Sequence, residues 1–306
     1  MRNEQRTPWG RRRKTGRGVA LARRRLHGPH GTGHRRRPGH RQPHAPAGPV
    51  HQPQRAGHGE NLPDITPEQE YYIGRSVAAT VLHTYRPLDN AAANRYLNVI
   101  GGVLAQASDR PETFGGYHFQ ILNSDDVNAF SAPGGFVMVS RGMLRCCRSE
   151  DAVAAVLAHE IGHVQGQHGL RAIKKGRLTS ALTVLAAEGA KNLGGQDVAE
   201  LTRAFEGTIG DITSTLMNNG YARGLEREAD QTAVTILQRV GYDPAALVAM
   251  LAEMKQHLQP GGLDFAKTHP SPDARIAELR GLISAAGPVA TNPVRRRRFE
   301  RAIGSL

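Results

Sequence analysis

Two histidines four residues apart with a glutamate between them, His159-Glu160-Ile161-Gly162-His163, are the residues of this chain best suited to chemistry. On an α-helix, positions i and i+4 differ by about 40° in azimuth and about 6 Å along the axis, so both imidazoles point the same way and can share one cation. Glu160 is turned by about 100° from His159, which puts its carboxylate beside a shared ion rather than on it. That position suits a general base. A zinc ion held by neutral imidazoles acidifies its water, and a neighbouring carboxylate takes the proton as hydroxide attacks a polarised carbonyl. Zinc of this kind needs a third protein ligand while one position stays open. The best candidate is Glu226, in the segment Tyr221-Ala-Arg-Gly-Leu-Glu-Arg-Glu-Ala-Asp230. Asp230, four residues on, shares its helical side, so one of the two can bind the ion while the other accepts a hydrogen bond from a ligand histidine and fixes its tautomer. Glu228 is turned away by about 200° and is expected to face solvent or an ion pair.

These side chains need rigid supports. Ser149 is a good N-cap, Glu150 and Asp151 oppose the positive helix end, and Ala152 to Ala158 is a strong helix-forming, apolar run leading into the motif. Two surface histidines would be the bland alternative, but an apolar flank is a costly place for unpaired His and Glu. Before this helix, Tyr117 to Leu122 and Phe136 to Val139 read as strands on either side of the breaker Pro133-Gly134-Gly135. Thr66 followed by Pro67, Glu68 and Glu70 opens a helix running to about residue 84, and a second is expected from Asn90 to Gln106. Further helices are expected over about 178–190, 197–206, 221–239, 243–257 and 272–285, with Asp243-Pro244 and Ser271-Pro272 as cap-and-proline starts. The expected fold class is α+β: helix-rich, with a small β-sheet just before the motif helix.

Four elements together, Asn128-Ala129-Phe130 with Pro133-Gly134-Gly135, the 159–163 helix, Glu226 to Asp230, and His269-Pro270 followed by Arg275-Ile276, resemble one family. It is the gluzincin peptidase family of the CAAX prenyl proteases, HtpX and the soluble BepA branch. The resemblance implies a zincin fold in which His159, His163 and Glu226 hold one zinc ion per chain, Glu160 is the base and Asp230 stands behind a ligand histidine. It further implies that His269 gates the metal or stabilises an oxyanion, with Arg275 supporting that region. Asn128, Ala129 and Phe130 would form an edge strand to which an extended peptide adds by backbone pairing. The implied activity is hydrolysis of peptide bonds in unfolded or misassembled proteins of the periplasm or cell envelope. The rival readings are a catalytically silent chaperone or interaction scaffold on the same fold, and nucleic-acid binding through the basic first segment.

The charge of +13 is concentrated at one end. Of the chain's 40 basic and 27 acidic residues, 15 and 2 fall within residues 1–60, which leaves 25 of each for the rest. This first segment, rich in Arg, Gly, Pro and His, reads as a disordered tail, as a phosphate-binding arm, or as the product of a frame or start-site error that replaced a signal peptide, since no signal peptide is visible. A nucleic-acid partner is not expected. A peptidase domain is expected over 61–290 and a solvated basic tail over 291–306. The adjacent Cys146 and Cys147 are silent about redox compartment. With no run of about 18 apolar residues, at most a peripheral membrane contact is expected. No repeat of 20 to 50 residues follows the domain, and the oligomeric state is not legible.

Overall fold

The computed structural model describes residues 65–173, 206–257, 269, 272–283, 292–304 and 306. The basic segment 1–60, the helix expected over 178–190 and nearly all of that expected over 197–206 lie outside the described residues. Helix α1 (Pro67–Thr84) begins with a reciprocal cap: Gln69 N–H donates to Thr66 Oγ1 at 3.2 Å, and Thr66 N–H donates to Gln69 Oε1 at 2.9 Å. Helix α2 (Ala91–Gln106) is capped by Asn90, whose side chain accepts from Ala93 N–H at 3.0 Å. Then come β1 (His118–Leu122), β2 (Ala129–Ala132) and β3 (Phe136–Ser140), in the order β1-β3-β2, with β1 parallel and β2 antiparallel to β3. The short helix α3 (Arg141–Cys146) links the sheet to α4 (Glu150–Gln165), which carries the histidine motif and is capped by Ser149 as the sequence predicts.

After α4 follow a single-turn helix α5 (His168–Arg171), a helical stretch over 206–214 that continues as a π-turn (Thr215–Asn219), α6 (Arg223–Arg239), α7 (Ala245–His257), α8 (Pro272–Ile283) and α9 (Pro293–Ile303). Helix α4 runs through the core of the described residues: every residue from Ala152 to Val164 is buried. Its Val153, Val156, Leu157 and Ile161 share one core with Leu97, Ile100 and Leu104 of α2, Ala233, Ile236 and Leu237 of α6, and Leu247 and Leu251 of α7. Packing on all sides, rather than on one amphipathic face, fixes both the tilt and the rotation of α4. Among the described residues no helix is long and apolar enough to cross a membrane.

The expectation of a solvated tail over 291–306 is corrected. Residues 293–303 form α9, and its Ile303 is buried in the core. The arginine run looked solvated because its partners are some 150 positions earlier in the chain, at the start of α4. Arg295 lies 3.1 Å from Asp151, and its guanidinium stands 4.0 Å from the centre of the Tyr242 ring. Arg298 grips both oxygens of Glu150, which is only 1% exposed and also accepts from the hydroxyls of Tyr96 at 3.2 Å and Tyr242 at 2.9 Å. Three helices and the loop before α7 therefore meet on one buried carboxylate, and removing Arg298 would leave its charge poorly compensated. Because the Arg298 side chain is 46% exposed, water can replace part of what it supplies. Arg298→Ala is expected to cost roughly 2 kcal/mol of stability, below the range for a fully buried pair. Urea unfolding followed by circular dichroism checks this, and an unchanged midpoint would mean that α9 does not hold the start of α4.

Candidate metal centre

The site is built where α4 and α6 cross. Gly162 of α4 faces Ala229 of α6 so closely that a Cβ added at Gly162 would come 2.8 Å from the Ala229 carbonyl oxygen and 3.0 Å from its Cα. This contact lets the two helices approach until side chains on either side of it converge. His159 Nε2 and His163 Nε2 are 3.1 Å apart, and Glu226 brings one carboxylate oxygen to 3.5 Å from the first and the other to 3.4 Å from the second. His269 closes the group, its Nδ1 lying 2.8 Å from both Glu226 oxygens. One ligand atom from each of these four residues lies within 4.8 Å of all the others, and all four residues are buried.

The donor set fits a tetrahedral metal. With bonds of about 2.0–2.1 Å, two ligand atoms on a tetrahedral zinc are about 3.3 Å apart, close to the 3.1, 3.4 and 3.5 Å separations among His159, His163 and Glu226. The hydrogen bonds behind the imidazoles point the same way. Asp230 Oδ1 is 2.9 Å from His159 Nδ1, so that nitrogen carries the proton and Nε2 turns a lone pair into the site. Arg275 grips both oxygens of Asp230, at 2.9 and 2.6 Å. Glu160, buried beside the group, accepts from Ser131 Oγ at 2.7 Å through Oε2, while Oε1 has no hydrogen-bond partner among the described residues. A buried carboxylate oxygen without a partner is costly unless something else reaches it, such as a water molecule or a substrate.

Protonation in the metal-free site follows from the same neighbours. Burial drives the His163 imidazole well below its ordinary value, leaving it neutral and ready to coordinate. Burial and Arg275 also lower His159, but the hydrogen bonds to Asp230 and Glu226 outweigh them and hold it at about 9. Burial raises Glu226 and Asp230, yet their neighbours outweigh it: His269 and His163, with hydrogen bonds from His159 and His269, hold Glu226 well below the usual carboxylate range, and Arg275 with His159 holds Asp230 at about 2. A cation entering here would displace the proton from His159.

The structure brings His159, Glu160, His163, Glu226, Asp230, His269 and Arg275 together, as their spacing and the resemblance suggested. Asn128, Ala129 and Phe130 are different. Ala129 and Phe130 lie in β2, an outer strand of the sheet, and Asn128 just precedes it; all three residues are buried, and the Phe130 ring packs 5.5 Å from Tyr85 in the core. The residue of β2 that does reach the site is Ser131, through Glu160. Sequence reasoning missed Ser131, which carries no signal of its own. It also missed Tyr221, whose ring stacks on His163 at 4.4 Å and whose buried hydroxyl has no hydrogen-bond partner among the described residues. His168 was missed as well; its Nδ1 is 2.8 Å from His163 Nδ1. Glu228 makes the expected ion pair, with Arg171 at 2.8 Å.

A buried HExxH helix crossed by a second helix that supplies a carboxylate and its supporting aspartate is the arrangement of a metallopeptidase. Residues 91–283, more than half of the chain, match the model of peptidase family M48, and the chain belongs to that family. It is 28% identical over 225 residues to the beta-barrel assembly-enhancing protease of Yersinia pestis, covering 72% of this chain and 44% of that one. It is 26% identical over 207 residues to the metalloprotease LoiP of Escherichia coli K12, covering 67% and 75%. Over 176 residues it is 31% identical to the mitochondrial metalloendopeptidase OMA1 of Schizosaccharomyces pombe, covering 56% and 48%. The chain thus spans less than half the length of the assembly-enhancing protease it matches.

The close crossing yields a direct test. Gly162→Ala must push α6 away from α4, because the three nearest atoms its Cβ would meet are all backbone atoms of Ala229. Overpacking of this kind costs about 1–3 kcal/mol, and Glu226 should retreat from the two imidazoles. The expected outcome is a folded protein of lower Tm that retains less metal on dialysis, checked by calorimetry and metal analysis.

Proposed function

We propose that this chain is a zinc-dependent endopeptidase that cleaves unfolded or misassembled proteins of the cell envelope or periplasm. The observation that carries the hydrolytic reading is Glu160, a buried carboxylate with one oxygen held by Ser131 and the other unpartnered, next to a converging set of metal donors. His159, His163 and Glu226 would hold the ion, with Asp230 and Arg275 behind His159. Bound zinc supplies the Lewis acidity that polarises the scissile carbonyl and acidifies a water molecule. Glu160 takes the proton of that water at Oε1 and delivers it to the departing amine, while Ser131 keeps the carboxylate in place. The substrate class and the compartment rest on the relatives' names and on the family resemblance.

The test uses the full chain with casein as an unfolded substrate. Wild type is expected to cleave it and chelator to stop the cleavage. Glu160→Gln is expected to lose at least about 100-fold in rate with its zinc retained, and Glu226→Ala is expected to lose the zinc itself. Full activity of Glu160→Gln, or cleavage indifferent to chelator, would refute the mechanism. Intact substrate-holding by an inactive wild type would favour the scaffold reading.

For His269 the gating role is favoured over the oxyanion role. Its Nδ1 bonds both oxygens of Glu226, and the donors are only 1–5% exposed. In this state His269 occupies the remaining corner of the group. His269→Ala is therefore expected to cleave casein several-fold faster than wild type, whereas an oxyanion role requires a large loss of kcat.

A further inference from the structure

The two imidazoles of the motif are anchored at Nδ1 by different devices. Behind His159 stands a carboxylate, Asp230, itself held by Arg275. Behind His163 stands another imidazole: His168 Nδ1 lies 2.8 Å from His163 Nδ1, and His168 is fully buried. On its far side, Glu228 Oε2 is 3.4 Å from His168 Nε2 and 2.8 Å from Arg171 Nη1. The sequence Arg171, Glu228, His168, His163 thus runs from the surface to the donor group, as Arg275, Asp230, His159 does within the core.

We propose that His168 is a positioning residue that fixes the tautomer and orientation of His163 for metal binding. The proposal rests on the reading of His159, His163 and Glu226 as a zinc site. Its logic is a chain of single protons. For His163 to present an Nε2 lone pair to the site, its proton must be on Nδ1. Only one hydrogen can lie between the two Nδ1 atoms, so His163 donates and His168 accepts. The remaining proton of His168 is then on Nε2, facing Glu228, whose charge favours that arrangement.

The local backbone is shaped to bring His168 into this position. On a helix continued past Gln165, a residue five positions after His163 would lie about 140° around the axis, away from it. The chain instead turns at Gln167, whose φ of 53° and ψ of 35° are left-handed values that L side chains disfavour; among the described residues it is the only non-glycine with positive φ. Gln167 is held there by its side-chain bond to Glu70 Oε2 at 3.2 Å. Just before it, Gly166 leaves room for the ring: a Cβ there would come 2.3 Å from His168 Nε2 and 2.7 Å from its Cδ2. An unfavourable backbone next to an obligatory absence of side chain is what a required ring position demands.

The test is zinc affinity of the full chain, measured by competition with a chromophoric chelator. His168→Phe keeps a ring and removes the acceptor; His168→Asn puts Oδ1 near the place of Nδ1 and keeps an acceptor. The expected result is a dissociation constant raised about 10- to 100-fold in His168→Phe and largely restored in His168→Asn. Equal affinity of His168→Phe and wild type overturns this proposal alone, as does His168→Asn binding as weakly as His168→Phe. A wild-type chain that takes up no zinc overturns the metal site and this proposal with it. A readout on the zinc-loaded wild type needs no variant: long-range proton–nitrogen NMR correlations should find His168 protonated at Nε2 and bare at Nδ1. The opposite tautomer overturns the proposal.

Discussion

The approach of α4 to α6 at Gly162 and Ala229 is the constraint on which the site depends. Donors on one helix can be aligned by helical geometry alone, but a third donor from a second helix has to be brought within a few ångströms of them. A side chain at Gly162 would hold the axes apart and carry Glu226 away from both imidazoles. The surrounding core serves the same contact. Leucine, isoleucine and valine side chains of α2, α6 and α7 enclose α4, so its only freedom is to move with its neighbours. The buried Glu150, bound by two tyrosines and Arg298, ties the far end of α4 to the C-terminal helix, so the helix is fixed at both ends as well as along its length.

What the sequence disclosed and what it hid divide by the range of the interaction. The motif, its cap at Ser149 and the pairing of Glu226 with Asp230 are local patterns set by 3.6 residues per turn, so they could be read directly. The two flanking strands and the Thr66-Pro67 start of α1 were legible because they too are local patterns, whereas α7 begins at Ala245, one residue after Pro244, and Ser271 lies outside the described residues. The C-terminal helix was misread because four arginines resemble a solvated end until Glu150 and Asp151 are placed opposite them. The edge strand at Asn128 to Phe130 was expected from a family pattern, which says nothing about where its side chains go; the Phe130 ring packs in the core next to Tyr85. His168 escaped because helical spacing argues against it; only the left-handed Gln167 moves it under His163.

The centre combines two kinds of support that respond differently to change. Arg275 and Asp230 are buried and charged, so losing either partner strands the other in a medium of low polarity. Glu228 and Arg171 are partly exposed, and solvent can stand in for either. The His159 side of the site is therefore rigid and intolerant of substitution, while the His163 side depends on a neutral imidazole and on backbone shape. Family membership fixes the general plan, and these residues describe how this chain carries it out.

The burial of the donors also has a kinetic meaning. With His159, His163, Glu226 and His269 closed off from solvent, an ion cannot arrive or leave by diffusion through a static structure. Exchange must wait for the protein to open, and its rate then reports the frequency of opening rather than the strength of the bonds. A chelator would act on such a molecule as a clock: at high concentration the rate of metal loss would cease to depend on the chelator and settle at the rate at which the molecule exposes its own centre.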